Sequence, residues 1–285
     1  MNNLEFEGEY LKGKRYGKGK EYWNLGQLKF EGEYLNNERN GKGKEYWYNG
    51  KLKFEGEYLN NKKWKGKGFD KLDNVLFELN NGEGLLKEYD EYGKLKFEGE
   101  YLNGEIIGKG KEYNYYGNIG FKGEYLNGKR NGQGKEYTIN EQLKFEGEYL
   151  NEERNGKGKE YFNGELIFEG EYLNGKKNGK GKEYYNNEDL AFEGEYLNGK
   201  RNGKGKEYNY KGEIKFEGEY LNGERNGKGK EYDNDGKLVF EGEYLYGKRY
   251  GKGREYNYEG DLIFEGEYYF NQKIIKHLSY IIKLN

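Results

Sequence analysis

The chain has no cysteine and no proline, and only one histidine, one serine and one threonine among its 285 residues. Without cysteine, neither a disulfide framework nor a thiolate metal site can be built. His277, Ser279 and Thr138 each stand alone, so no Ser-His-Asp or Cys-His arrangement can be assembled. No apolar run is long enough to suggest a transmembrane span. The opening residues, MNNLEFEGEY, lack the basic and apolar regions of a signal peptide. The expectation is a cytoplasmic protein, free or associated with membrane or cytoskeleton.

Aliphatic residues are also scarce. Hydrophobic residues make up 33% of the chain and charged ones 36%, and the mean hydropathy is -1.33, a composition that leans towards disorder. Aromatic residues, at 18%, argue the other way, because each ring buries a large area and tyrosine keeps a wet hydroxyl end. The 50 Lys and Arg against 52 Asp and Glu give a net charge of -2. That balance removes the basic excess expected of a nucleic-acid binder.

What is present is a repeat. The Phe of an F-x-G-E-Y unit falls at Phe6, Phe30, Phe54, Phe97, Phe121, Phe145, Phe168, Phe192, Phe216, Phe240 and Phe264. The spacing is 24 residues except for one step of 23, from Phe145 to Phe168, and one of 43, from Phe54 to Phe97. The long step hides a degraded copy with Phe77 as its landmark, so about twelve units cover residues 1–270.

One unit can be folded from its turn outward. In YWYNGKLKF, Asn49-Gly50 is a strong signal for a two-residue hairpin turn. That turn places Tyr48 opposite Lys51, Lys44 opposite Glu55, Gly43 opposite Gly56, Lys42 opposite Glu57 and Gly41 opposite Tyr58. Opposed residues share a face. One face then carries Phe54, Gly56 and Tyr58 with Gly41 and Gly43, and the other carries the lysines and glutamates. Rings lying across bare glycine backbone would hold the first face. The second connection, YLNGKRNGKG, reads as a slightly longer turn. The predicted fold is all-β: an elongated single-layer antiparallel solenoid of about twelve β-hairpins, on the order of 115 Å long at ~4.8 Å per strand.

The pattern G-x-Y-x-x-G-x-x-x-G-x-G, seen at Gly194, Tyr196, Gly199, Gly203 and Gly205, resembles the MORN repeat. The resemblance recurs in register over nearly the whole chain, with Phe where Tyr is common at the leading ring and a period of 24 where about 23 is common. Stretches such as KEYWYNGKLKFEGEYLNNERNGKGKEY also resemble the bacterial variant. The resemblance implies a run of β-hairpins, and a role in scaffolding, dimerisation or membrane tethering.

Other chemistry is hard to find. The pair Glu7 and Glu9 recurs in nearly every copy opposite lysines, which makes it structural. The GKGK runs lack the Ser or Thr of a phosphate loop. Asp233-Asn234-Asp235-Gly236 has its glycine at the fourth position where a calcium loop needs it at the sixth, and reads as a turn. The chain is expected to be no enzyme, with no cofactor, metal, small-molecule substrate or nucleic acid.

Two segments depart from the lattice. Residues 62–90 add Trp64, Phe69, Val75, Leu76, Leu85 and Leu86, which either pack among themselves at a kink or form a partner-docking patch. The tail, 271–285, carries Ile274, Ile275, Leu278, Ile281 and Ile282 at helical spacing with Lys273, Lys276 and Lys283 and no acid. It reads as a short amphipathic helix that caps the array or lies on an anionic membrane. Function is therefore expected to be a scaffold for a protein partner or a second copy, the alternative being a peripheral membrane tether acting through the tail.

Overall fold

The computed structural model describes residues 5–275, and these form 24 β-strands, from β1 (Phe6–Leu11) to β24 (Gln272–Ile274), with no helix among them. They fall into two compact units, Met1–Glu152 and Glu153–Asn285. Strands pair antiparallel with their chain neighbours. In the first unit, β1 to β7 (Val75–Leu79) make one seven-stranded sheet, and β8 (Gly84–Tyr89) begins a second ladder by pairing with β9 (Leu95–Leu102). In the second unit the ladder runs from β14 (Glu153–Phe162) to β24, which pairs with β23 (Leu262–Tyr269). The ladders are open sheets and not barrels.

The expected central register holds. Between β4 (Glu38–Tyr46) and β5 (Leu52–Leu59), Gly41 faces Tyr58, Lys42 faces Glu57, Gly43 faces Gly56 and Lys44 faces Glu55. The turns that produce it are the reverse of those expected. The Asn49-Gly50 connection is a three-residue loop: Gly50 N–H donates to Trp47 O, and Trp47 N–H to Lys51 O, each at 2.8 Å. Only Gly50 takes a positive φ, 81°, as in a type I turn closed by a left-handed glycine. Tyr48 is therefore in the loop and does not face Lys51. A one-residue bulge at Lys53 restores the count, because Tyr46 pairs with Leu52 but Glu45 with Phe54.

The tight two-residue turn is the other connection. Between β17 (Leu190–Leu197) and β18 (Lys200–Tyr208), Leu197 pairs with Lys200, and Asn198 and Gly199 both have positive φ, 51° and 86°. That is the type I′ geometry that Asn-Gly favours. Beyond it the strand bulges widely: Tyr196 pairs with Arg201 but Gly194 with Gly205. Gly203 turns through φ 85° there, and the space beside it is filled by the Glu195 carboxylate. The 23-residue step has the same cause. Phe162 pairs with Glu165 across Asn163-Gly164, so a two-residue turn replaces the usual three-residue loop.

The core lies within the layer. Phe192 is fully buried, edge-on to Tyr196 of its own copy at 5.7 Å and to Tyr220 of the next at 5.2 Å. Its ring tip lies over the glycines: a Cβ at Gly205 would sit 2.5 Å from Phe192 Cζ. The ring-on-glycine device thus applies to Gly194 and Gly205, while Gly203, like Gly41, serves the bulge.

The tail departs from expectation. Instead of starting a helix at Asn271, the chain turns at Phe270 and Asn271, with φ of 47° and 71°, and Gln272–Ile274 add to the sheet as β24. The open edge of β23 offers backbone partners at once, whereas a short helix must first be nucleated. Lys276, Leu278, Ile281, Ile282 and Lys283 lie outside the described residues.

Candidate interaction surface

The rings are not what the sheet presents. In each regular copy an arginine or lysine lies over the phenylalanine; Arg201 stands 4.0 Å above the Phe192 centroid and Arg225 4.1 Å above Phe216. These cations are held by a glutamate directly opposite each phenylalanine, as Glu207 is opposite Phe216. In the second unit Glu183, Arg201, Glu207, Arg225, Glu231 and Arg249 alternate as one ladder. Tyr220 adds its hydroxyl to Glu207 at 2.9 Å. Burial alone would raise the Glu207 carboxyl, but the Arg225 hydrogen bond and charge more than offset it and hold the group below its ordinary value. Glu45, in the first unit, shows the same contest. Burial opposes ionisation there, yet Lys63, Arg39 and Lys53 bring the carboxyl down to about 2. The sequence reading put lysines and glutamates on the face away from the rings and did not single out the glutamates that face the phenylalanines; the covering arginines escaped notice because the bulge hides their face.

The opposite face carries the expected lysine and glutamate pairs, such as Lys44 with Glu55 at 2.9 Å. Tyrosines join them, as Tyr208 does by donating to Glu193 at 2.7 Å. Together these groups offer a finely mixed, neutral surface.

Two apolar groups recur exposed among the described residues: a ring or aliphatic side chain in most of the three-residue loops, such as Leu72, Tyr92, Tyr210 and Tyr258, and a leucine in the strands. The leucine ending each F-E-G-E-Y-L run sits beside the two-residue turn on the Lys/Glu face, and Leu126, Leu150, Leu173, Leu197 and Leu221 are 47–51% exposed. A single leucine per repeat drew no attention in sequence; its significance lies in recurring at the same lattice point.

The six residues singled out in 62–90 have separate fates. Leu86 is buried with Leu79 and Tyr101 in a small core that Phe77 and Ile106 complete. Trp64 is half-buried against Gly82, whose N–H donates to Trp64 O. Phe69 and Leu76 are half-buried, Phe69 accepting a hydrogen bond from Trp47 Nε1 at 3.2 Å. Val75 and Leu85 are exposed. At the tail, Ile274 and Ile275 are exposed, while Lys273 binds Glu255 at 2.7 Å and lies over Phe264.

Leu79 and Leu86 explain why this segment is irregular. They occupy the positions of the facing glycine pair, where a Cβ at Gly32, for example, would lie 2.7 Å from Gly43 Cα. Two leucines cannot share that space, so β7 and β8 form no ladder and are closed only by the Asn80–Glu83 bridge. Lys53 reaches across to Tyr89 O at 3.3 Å, and Trp47 packs on Tyr89. Ile106 stands where other copies have the covering cation.

Against known families, a model described as the MORN repeat matches residues 6–24, 30–51, 121–140, 145–165, 168–190, 192–213 and 216–237, just over half of the chain. Repeats of this kind are generally modules of protein or membrane interaction. No curated protein matches the chain.

Proposed function

Because the chain belongs to the MORN-repeat family, we propose that it is a non-enzymatic scaffold that binds a protein partner or a second copy of itself through its repeated surface. The observation that carries this reading is the leucine row. About half of each leucine's surface stays in water in copy after copy, and burying that half would gain about 1 kcal/mol per leucine. The neighbouring rings and carboxylates, by contrast, are already engaged within the sheet. A repeated, evenly spaced apolar row suits an extended partner better than a compact one.

The test is sedimentation velocity of the purified chain over a wide concentration range, alongside affinity capture with the wild type and with Leu197→Asn/Leu221→Asn. Association or capture that depends on the leucines supports the scaffold. Its absence in both assays would remove it.

A second reading, a peripheral membrane tether, draws on the exposed Ile274 and Ile275 beside Lys273 and on the Lys and Ile content of the residues that follow. Co-sedimentation with anionic and neutral vesicles, comparing the full chain with one ending at Phe270 and checked for folding by circular dichroism, decides it. Binding lost with the tail supports the tether. Equal failure of both forms to bind sinks it.

A further inference from the structure

The repeat itself shows why the regular ladder goes no further than β24. Tyr268 pairs with Lys273 as Tyr244 of β21 (Leu238–Leu245) pairs with Arg249 of β22 (Lys248–Tyr256). Counted on from there, Ile275 holds the place of Gly251 and His277 that of Gly253. Gly251 has a φ of 69°, which a β-branched residue avoids. A Cβ at Gly253 would lie 2.6 Å from Phe240 Cζ, so that place has no room for a histidine. As with Leu79 and Leu86, side chains at glycine positions forbid a regular strand. The outer side of β23 is therefore open beyond β24 among the described residues. Phe240 is fully buried and Leu238 and Val239 are half-buried, whereas their counterpart Phe264 is half-buried and Leu262 and Ile263 are 49% and 55% exposed.

Charge and reach decide what covers this end. Residues 257–269 carry Glu259, Asp261, Glu265 and Glu267 and no Lys or Arg. Arg254 and Lys252 face Glu265 and Glu267 from the inner side alone. The β1 strand of a second copy has the same F-E-G-E-Y run, and opposing the two glycines would set Glu7 against Glu267 and Glu9 against Glu265. Like charges directly opposed are destabilising. An anionic membrane would meet the same carboxylates. The ten residues 276–285, by contrast, carry Lys276 and Lys283 with no acid, and Leu278, Ile281 and Ile282 among them. Ile274 lies opposite Glu267, and from there to the level of Leu262 is about 17 Å of strand. An extended chain of that length spans about 33 Å, so the segment covers the open side with slack.

We propose that residues 276–285 fold back over the open side of β23 and cap it without joining the ladder, the apolar side chains of the segment covering Leu262, Ile263 and Phe264 and its lysines meeting the acids there. This goes beyond the scaffold reading and is independent of the leucine row. It also means that the tail reaches a membrane only when released from the sheet.

The experiment is hydroxyl-radical footprinting of the full chain, read at Leu262, Ile263 and Phe264. The wild type is compared with full-length Leu278→Asn/Ile282→Asn and Lys276→Glu/Lys283→Glu. In the wild type, labelling of Leu262 and Ile263 is expected to be no greater than that of Leu238 and Val239. The apolar pair should abolish this protection and the lysine pair should weaken it. Unchanged labelling of Phe192 and Phe216 checks that the array stays folded, and if the apolar pair disturbs it, the lysine pair decides. Wild-type labelling equal to that of the variants overturns the proposal. So does protection that rises with concentration alongside a dimer in sedimentation velocity, which gives this end to a second copy. Protection seen only with anionic vesicles also overturns it and gives the tail to a membrane. None of these results bears on leucine-dependent association, so the cap and the scaffold fail separately.

Discussion

The hairpin β17–β18 and the hairpin β7–β8 begin from the same phenylalanine landmark and end differently. In the first, Gly194 faces Gly205, the strands close, and the Phe192 ring lies across both glycines under Arg201. In the second, Leu79 and Leu86 stand in those places, the strands part, and the leucines build a small core of their own with Tyr101. The glycine pair is therefore the condition for lattice continuity, and hydrophobic gain at that point costs the ladder. The contrast also shows how a layer this polar folds. Burial comes from rings laid over bare backbone and roofed by cations, with no second layer needed.

The largest effect should come from turning a regular hairpin into a joint. Gly194→Leu/Gly205→Leu is expected to cost about 2–6 kcal/mol through overpacking, read as a lowered urea midpoint and lost amide protection in β17 and β18. Unchanged protection there would break the comparison. The reverse change, Leu86→Gly, should lose about 2–5 kcal/mol of buried side chain, yet slow hydrogen exchange in 76–79 and 85–88 as the strands close. A fall in stability with no gain in protection would mean that the leucines do not hold the strands apart.

The cation roof comes next. Arg225→Met keeps apolar cover on Phe216 but strips hydrogen bonds from Glu207 and Glu231, at about 1–3 kcal/mol. Folding holds the Glu183 and Glu207 carboxyls below their ordinary 4.5. Their contribution is therefore complete above that pH and lost as pH falls through the lower folded values. Acid unfolding curves of Arg225→Met should be shallower than those of the wild type, and parallel curves would contradict the ladder. Tyr101, which burial pushes up to about 12, has the opposite sense: its contribution is complete below 10 and fades as pH rises towards 12. The smallest effect is expected on the other face. Lys44→Ala removes an ion pair whose partners are both about half exposed, so the urea midpoint should barely move and any difference should vanish in salt. A larger loss would make the Lys/Glu face more than a solvated lattice.

Much of this was legible in the residues. The Lys44–Glu55 and Gly43–Gly56 oppositions follow from the repeat and appear unchanged, although the turn used to reach them was wrong and a bulge at Lys53 compensated. The role of Leu79 and Leu86 was not legible. Apolar residues in an irregular copy read equally well as a patch or as a core until the facing glycines of the other copies are seen in contact. The leucine row was in plain view, but exposure is a property of the packed lattice and not of a motif.

By itself the sequence determined the period, the strand pairing and the division into a ring face and a charged face, because a side-chain period of two and a recurring turn leave one register that keeps rings with glycines. The tertiary structure alone decided which connection is tight, where the bulges fall, which cations roof the rings and that Gln272–Ile274 join the sheet. Those choices depend on hydrogen bonds and contacts offered by the neighbouring strand, which no single repeat contains.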